Sequence, residues 1–189
     1  LRLTGSDRAA ADTFLREHDV RLGDTLVTVH PGASTRLKRW DAVLFASLAD
    51  RLERNHGVRV VVVGGKQDYK VVRRMLDVMT STPVVAAGRL GVLETAAVQE
   101  RAALHVGNDS GPLHLAVAVA TPTVGLFGPT NQSNFRPVGA GDVVMHKPRA
   151  CSPCTHFVGG SPVLAKPLCR TCACLDELGV DEVEAACAR

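Results

Sequence analysis

The run Val58-Arg-Val-Val-Val-Val-Gly64 constrains this chain most: it is β-branched at almost every position, and Arg59 is its only polar residue. A strand with one face in water alternates apolar and polar residues, whereas an uninterrupted apolar strand is covered on both faces, as in a parallel sheet packed between helices. Other segments agree. Leu26-Val-Thr-Val-His30, Leu104-His-Val106 and Thr123-Val-Gly-Leu-Phe127 read as buried strands, with shorter ones expected near 83–86 and at Val143-Val-Met145. Between and beside them, helical spacing predicts helices at 7–19, 41–56, about 68–79, 92–101, 112–120 and near 180–188. Strands alternating with helices imply right-handed crossovers and a doubly wound sheet. The expected fold class is α/β, a Rossmann-like three-layer αβα domain with a mostly parallel sheet.

The length of 189 residues suffices for one domain with a substantial core. Aromatic residues make up only 4%, so that core must rest on Val, Leu and Ala. The net charge of +3 is too small to argue for nucleic acid or an anionic membrane as partner. No apolar run reaches the length of a membrane span, and Leu1-Arg-Leu-Thr-Gly-Ser-Asp-Arg8 lacks the apolar centre of a signal peptide. The expected compartment is the cytoplasm.

Ligands of doubly wound sheets bind beyond the carboxyl ends of the strands. Two such junctions carry phosphate-compatible chemistry. In Val106-Gly-Asn-Asp-Ser-Gly-Pro-Leu-His-Leu115, a strand ends near Gly107 and a helix begins at Pro112. Proline suits the first helical turn, and the amides and positive dipole end of such a helix attract an anion. The alternative is an ordinary βα turn capped by Asp109 or Ser110. In Pro31-Gly-Ala-Ser-Thr-Arg-Leu-Lys-Arg-Trp40, Gly32 lets backbone approach a ligand, Ser34 and Thr35 supply hydroxyls, and Arg36, Lys38 and Arg39 cluster three positive charges. The alternative is a solvated basic loop. Asp41 is expected to cap the helix that follows, with Trp40 packed on Phe45 as a hydrophobic staple. The first strand is not followed by G-x-G-x-x-G, which argues against a common dinucleotide site.

Three motifs together resemble glycosyltransferase family 9, the bacterial heptosyltransferases that build the lipopolysaccharide core. They are His30-Pro-Gly-Ala-Ser34 with Lys38-Arg-Trp40, Val106 to Ala116, and Val124-Gly-Leu-Phe-Gly-Pro-Thr130, and their order fits from about residue 24 to residue 136. The resemblance implies the C-terminal, donor-binding half of a GT-B enzyme, holding a nucleotide-sugar, typically ADP-heptose. The acceptor surface for the lipopolysaccharide core and the catalytic base would belong to an N-terminal half outside this sequence. Residues 1–22 would then be a connector, 23–146 the Rossmann-like unit, and 147–189 a Cys-rich excursion and C-terminal helix of the same domain. The enzyme would work in the cytoplasm at the inner face of the inner membrane, with at most peripheral membrane contact and no nucleic acid partner.

Carried over by position, Lys38 is expected on the donor phosphates, with Ser34 and Thr35 near phosphate or ribose. Asp109, Ser110, Gly111 and His114 would surround the diphosphate and sugar, and Lys38 and Asp109 are the expected catalytic pair. Gln67 sits near the family's ribose position, where Glu is frequent. Asp41 replaces the Pro that usually follows Trp. An ionised Asp109 would repel a diphosphate directly, so it is expected on sugar hydroxyls or backbone amides, or else as a brace for the loop. Transfer would need no cofactor.

All six cysteines lie between 151 and 187. Cys151-Ser-Pro-Cys154 and Cys169-Arg-Thr-Cys172 have the spacing of a structural zinc site. Cys174 and Cys187 complicate that reading, His146 and His156 are nearby alternative ligands, and free thiols, a disulfide or an iron–sulfur site remain open. The prolines and glycines of 147–170 predict an excursion from the sheet, with a mobile flap as its expected form. Two other functions stay in view: a nucleotide-binding module without transfer activity, and a zinc-stapled interaction or nucleic-acid-binding domain. His18, His56 and His105 read as structural or solvated.

Overall fold

The computed structural model describes residues 1–158, 161–164 and 173–188, with the backbone alone at 155–158 and 161–164. Six parallel strands form the central sheet: β1 (Leu26–His30), β2 (Arg59–Val62), β3 (Val84–Val85), β4 (Leu104–Asn108), β5 (Thr123–Leu126) and β6 (Val143–Met145). Their order is β3-β2-β1-β4-β5-β6. The chain winds outward from β1 in one direction, then returns to β4 and winds outward in the other. The reversal lies between β1 and β4, where the loops after the two strands diverge and leave a crevice.

Alternation along each strand assigns the two faces. Val27, Val29, Val60, Val62, Val106, Val124 and Leu126 are buried in a core with α2 (Ala42–His56), α3 (Tyr69–Leu76) and α8 (Val180–Cys187). Leu26, Val61, Val63 and Val84 are buried on the other side with α1 (Gly5–Glu17) and α4 (Val92–Glu100). Leu115 of α5 (Gly111–Ala118), partly buried, joins that second layer. The expected three-layer α/β arrangement is therefore present.

Local signals set the helix limits. Thr4 and Asp7 close a capping box on α1, two residues earlier than the sequence predicts. Asp41 caps α2 by accepting from the Val43 amide at 2.8 Å. Trp40 meets Phe45 edge-on, with ring centroids 4.9 Å apart, as expected of a staple. Gly57 ends α2 in the left-handed region at φ 65°. α3 stops at Leu76 rather than continuing to 79, because the Thr80 and Ser81 amides turn back onto the Asp50 carboxylate.

Beyond β6 the chain does leave the main sheet. β7 (Thr155–Val158) and β8 (Ser161–Leu164) pair only with each other, antiparallel. The short helices α6 (Gln132–Phe135) and α7 (Ala173–Asp176) lie on either side of this hairpin in sequence, and α8 packs back against α2. Its Arg51–Glu184 and Asn55–Glu184 contacts tie the chain end to the domain.

Candidate functional site

Four loops at the carboxyl ends of β1, β2, β4 and β5 meet over the crevice. The loop after β1 is held from below by Asn108, the last residue of β4. Its side-chain oxygen accepts from the Trp40 amide at 2.9 Å, and its nitrogen donates to the Pro31 and Gly32 carbonyls at 3.1 Å each. Trp40 is wholly buried, and its indole N–H donates to the Leu178 carbonyl at 2.9 Å. Arg39 donates twice to the Ala33 carbonyl, at 3.0 and 2.7 Å. Through these two bonds Arg39, one of the three cations of this segment, braces the loop.

The loop so fixed delivers Lys38 to the β4 junction. The Lys38 ammonium donates to Asp109 Oδ2 at 2.7 Å, and both side chains are nearly buried. Thr130, from the loop after β5, donates to the same oxygen at 2.6 Å. His114 Nε2 stands 3.7 Å from Asp109 Oδ1, an ion-pair distance rather than a hydrogen bond. Burial pushes the Asp109 carboxyl up, but His114, Lys38 and Thr130 outweigh it and hold the group at about 2. Asp109 is thus ionised and matched by a cation, which answers the repulsion expected between it and an anionic ligand. The Phe135 ring lies 6.0 Å from the Lys38 ammonium, within reach of a cation–π attraction.

α5 begins at Gly111 with Pro112 in its first turn. Neither Asp109 nor Ser110 caps it through the side chain, contrary to the ordinary-turn alternative. Helix geometry leaves the first amides without intrahelical acceptors. Gly111 is exposed, and a Cβ built there meets nothing within 4 Å. Behind it, glycines let α5 sit close on the sheet: a Cβ at Gly125 would lie 3.0 Å from Leu113 Cδ2.

A second polar cluster was not visible in the sequence. His30, the last residue of β1, is buried, with Nδ1 3.0 Å from Ser110 Oγ and Nε2 3.2 Å from Asp68 Oδ2. Asp68 also accepts from the Gly65 amide at 2.9 Å. Burial raises the Asp68 carboxyl, yet the bonds from His30 and Gly65 leave it below its ordinary value. Gln67, expected at a ribose position, is exposed, while its neighbour Asp68 points inward. The spacing of Asp68 three residues after Gly65, as in a helix-start box, was the signal available. Ser34 and Thr35 are exposed on the rim before the turn that carries Lys38. His105 is wholly buried and so is not solvated.

The zinc expectation cannot be placed on the described residues as a set. Cys169 and Cys172 lie outside them, as do residues 159–160 and 165–170 of the proposed flap. Cys151 is exposed and Cys154 buried, and no group of three or more His, Cys, Asp or Glu is placed to hold a metal among the described residues.

Residues 1–159 match the family model for glycosyltransferase family 9 (heptosyltransferase). The chain belongs to this family. It is 35% identical over 119 residues to lipopolysaccharide heptosyltransferase 3 of Escherichia coli, covering 61% of this chain and 35% of that protein. The crystal structure of the glycosyl transferase family 9 from Veillonella parvula DSM 2008 superposes with TM-score 0.73 at 32% identity, over 77% of this chain and 41% of that one. The structure of E. coli ADP-heptose lps heptosyltransferase II shares the fold with TM-score 0.76 at 19% identity, over 100% of this chain and 52% of that one. The chain thus spans about half the length, or less, of the family members it matches. Among the described residues no helix is long and apolar enough to cross a membrane.

Proposed function

We propose that this chain is the donor-binding half of a glycosyltransferase that moves heptose from ADP-heptose to a lipopolysaccharide core acceptor. The observation that carries this reading is the junction of Lys38 with Asp109 beside the open first turn of α5. It puts a fixed ammonium and a helix N-terminus around one crevice at the switch point of the sheet, where an anionic ligand of such folds belongs. Family membership, and the ADP-heptose named for the E. coli relative, supply the donor class.

In this reading Lys38, Ser110 and Gly111 hold the diphosphate, Ser34, Thr35 and Gln67 lie toward the ribose, and Asp109 with His114 faces the sugar. Negative charge grows on the leaving nucleoside diphosphate as the glycosidic bond breaks. Lys38 and the α5 amides stabilise that charge without reorganising, because Asp109, Thr130 and Asn108 have already fixed them. The general base that deprotonates the acceptor hydroxyl comes from the other half. Residues 1–22 connect to that half, 23–146 form the donor-binding unit, and 147–189 complete it. The enzyme works in the cytoplasm, at the inner face of the inner membrane.

Calorimetric titration with ADP, UDP and GDP tests the donor assignment. ADP is expected to bind best; no binding by any of the three overturns it. The chain alone is expected to bind donor without transferring sugar, and glycosyl transfer by the purified 189-residue chain would refute that part.

A further inference from the structure

Three polar side chains, from the end of β1 and from the loops after β2 and β4, stand in line beside the crevice. The His30 ring bridges Asp68 Oδ2, 3.2 Å from Nε2, and Ser110 Oγ, 3.0 Å from Nδ1. The His30 and Asp68 side chains are only 3% and 7% exposed, so the ring cannot swing out to solvent without opening the fold. Backbone lacking side chains makes the space. A Cβ at Gly32 would stand 2.2 Å from Asp68 Oδ1 and 2.7 Å from His30 Nε2, and one at Gly64 would stand 2.9 Å from Asp68 Oδ2. Nothing in the Lys38–Asp109 junction uses this line.

The proton positions follow from hydrogen-bond chemistry. An ionised carboxylate only accepts, so His30 Nε2 must carry a hydrogen and donate it to Asp68. In a neutral ring Nδ1 is then a lone pair. The Ser110 hydroxyl hydrogen turns inward, to that nitrogen or to the Asn108 carbonyl 3.1 Å away, and only oxygen lone pairs face the crevice. In a charged ring Nδ1–H donates to Ser110 Oγ instead. The hydroxyl hydrogen is then released, and an anionic phosphate oxygen is a stronger acceptor for it than a carbonyl.

We propose that Asp68, His30 and Ser110 form a proton-linked switch, in which an arriving phosphate draws a proton onto His30 and turns the Ser110 hydroxyl into a donor toward it. The proposal rests on the donor-binding reading above and adds a proton to it: one is taken from solvent as nucleotide binds and returned as it leaves. Ser110 touches the ligand; His30 and Asp68 position it. The charged neighbours are compatible with this. Arg39 acts on Asp68 from the β1 loop. His105 lies behind on β4 and stays neutral, since burial, and then the charge of His30, drive it down to about 3. The Lys38–Asp109 pair and His114 flank Ser110 on its other side.

Calorimetric titration of the whole chain with ADP, in buffers of different ionisation enthalpy across about pH 6 to 8, counts the protons taken up. ADP itself titrates in every sample, so the difference between variant and wild type is the readout. His30→Gln is expected to take up fewer protons than wild type, by as much as one. Its affinity should lose a pH dependence that in wild type approaches about tenfold per pH unit, the limit for one linked proton. Ser110→Ala, at a half-exposed position, is expected to fold, to bind ADP more weakly and to take up fewer protons too. Its result decides the matter if His30→Gln does not fold by circular dichroism. Proton counts equal to wild type in the variants that fold overturn the switch while leaving donor binding intact; absence of ADP binding to wild type overturns both.

Discussion

Lys38 and Asp109 are 71 positions apart in the chain, yet the ammonium of one donates to the carboxylate of the other at 2.7 Å, nearly out of contact with water. The pair joins the loop after β1 to the loop after β4 across the point where the sheet reverses its winding. It is both a structural tie and the positively charged element of the crevice, and its two roles can be separated experimentally.

Removing the cation strands a buried anion. Lys38→Met is expected to destabilise the domain by about 3 kcal/mol, the scale for breaking a buried pair from one side. Where the variant remains folded, ADP affinity should fall by a further ~1.5–3 kcal/mol, the worth of a charged hydrogen bond. Urea denaturation and calorimetry measure the two losses independently. A fully stable variant with lowered affinity would leave Lys38 in the site and deny it the structural role.

Acid should reveal Asp109. Its carboxyl ionises at about 2 in the fold against an ordinary value of 3.8, so the folded state holds the ionised form more strongly than the unfolded chain does. Its contribution, about 2 kcal/mol by linkage, is complete above the unfolded value and is lost as pH falls from about 4 toward 2. Asp68 and Asp50 are lowered in the same direction and add to this slope. Asp109→Asn should be less stable near neutral pH and lose less stability over that acid range. Urea midpoints taken at several acid pH values would show the curves converging; parallel curves would contradict it.

Asn108 is expected to matter through the loop that it holds. Its side chain makes three buried hydrogen bonds to the β1 loop. Asn108→Ala leaves one amide and two carbonyls to find other partners, at roughly 1–3 kcal/mol for each group left unsatisfied. A thermal melt should drop by several degrees, since about 1 kcal/mol moves a domain of this size by ~2–4 °C. ADP binding should weaken with it as Lys38 loses its fixed position.

Gly125 tests how closely α5 must sit. A Cβ there would lie 2.9 Å from Phe127 Cε2 and 3.0 Å from Leu113 Cδ2, both wholly buried. Gly125→Ala should cost about 1–3 kcal/mol through overpacking. Because the strain lifts the first turn of α5, nucleotide affinity should fall as well. Gly111→Ala, which meets open space at the same end of the helix, is the control for overpacking by an added methyl group.

Much of the architecture was legible from short-range pattern. β1 was expected over 26–30 and is Leu26–His30; the helix expected at 41–56 is Ala42–His56, with Asp41 and Gly57 at its ends. These elements carry their own signals: β-branched runs, a capping side chain, a left-handed glycine. The helix expected at 68–79 ran too far because its stop is an acceptor on another helix, Asp50 on α2. Within the site, Lys38, Asp109, Ser110 and His114 were singled out from motifs, and the fold brings Lys38 and His114 to Asp109. The bond of Arg39 to the Ala33 carbonyl was not legible, because a charge in a sequence does not name its partner.

By itself the sequence determined the kind of layer each segment joins, since apolar periodicity and turn residues act over a few positions and need no knowledge of distant chain. The pairing of His30 with Asp68 and Ser110, the clamp of Asn108 on Trp40, and Thr130 on Asp109 were decided only by the tertiary structure. Each bond closes a long loop between strands that are neighbours in space and not in sequence, and a buried polar group takes whichever partner the strand order brings within reach.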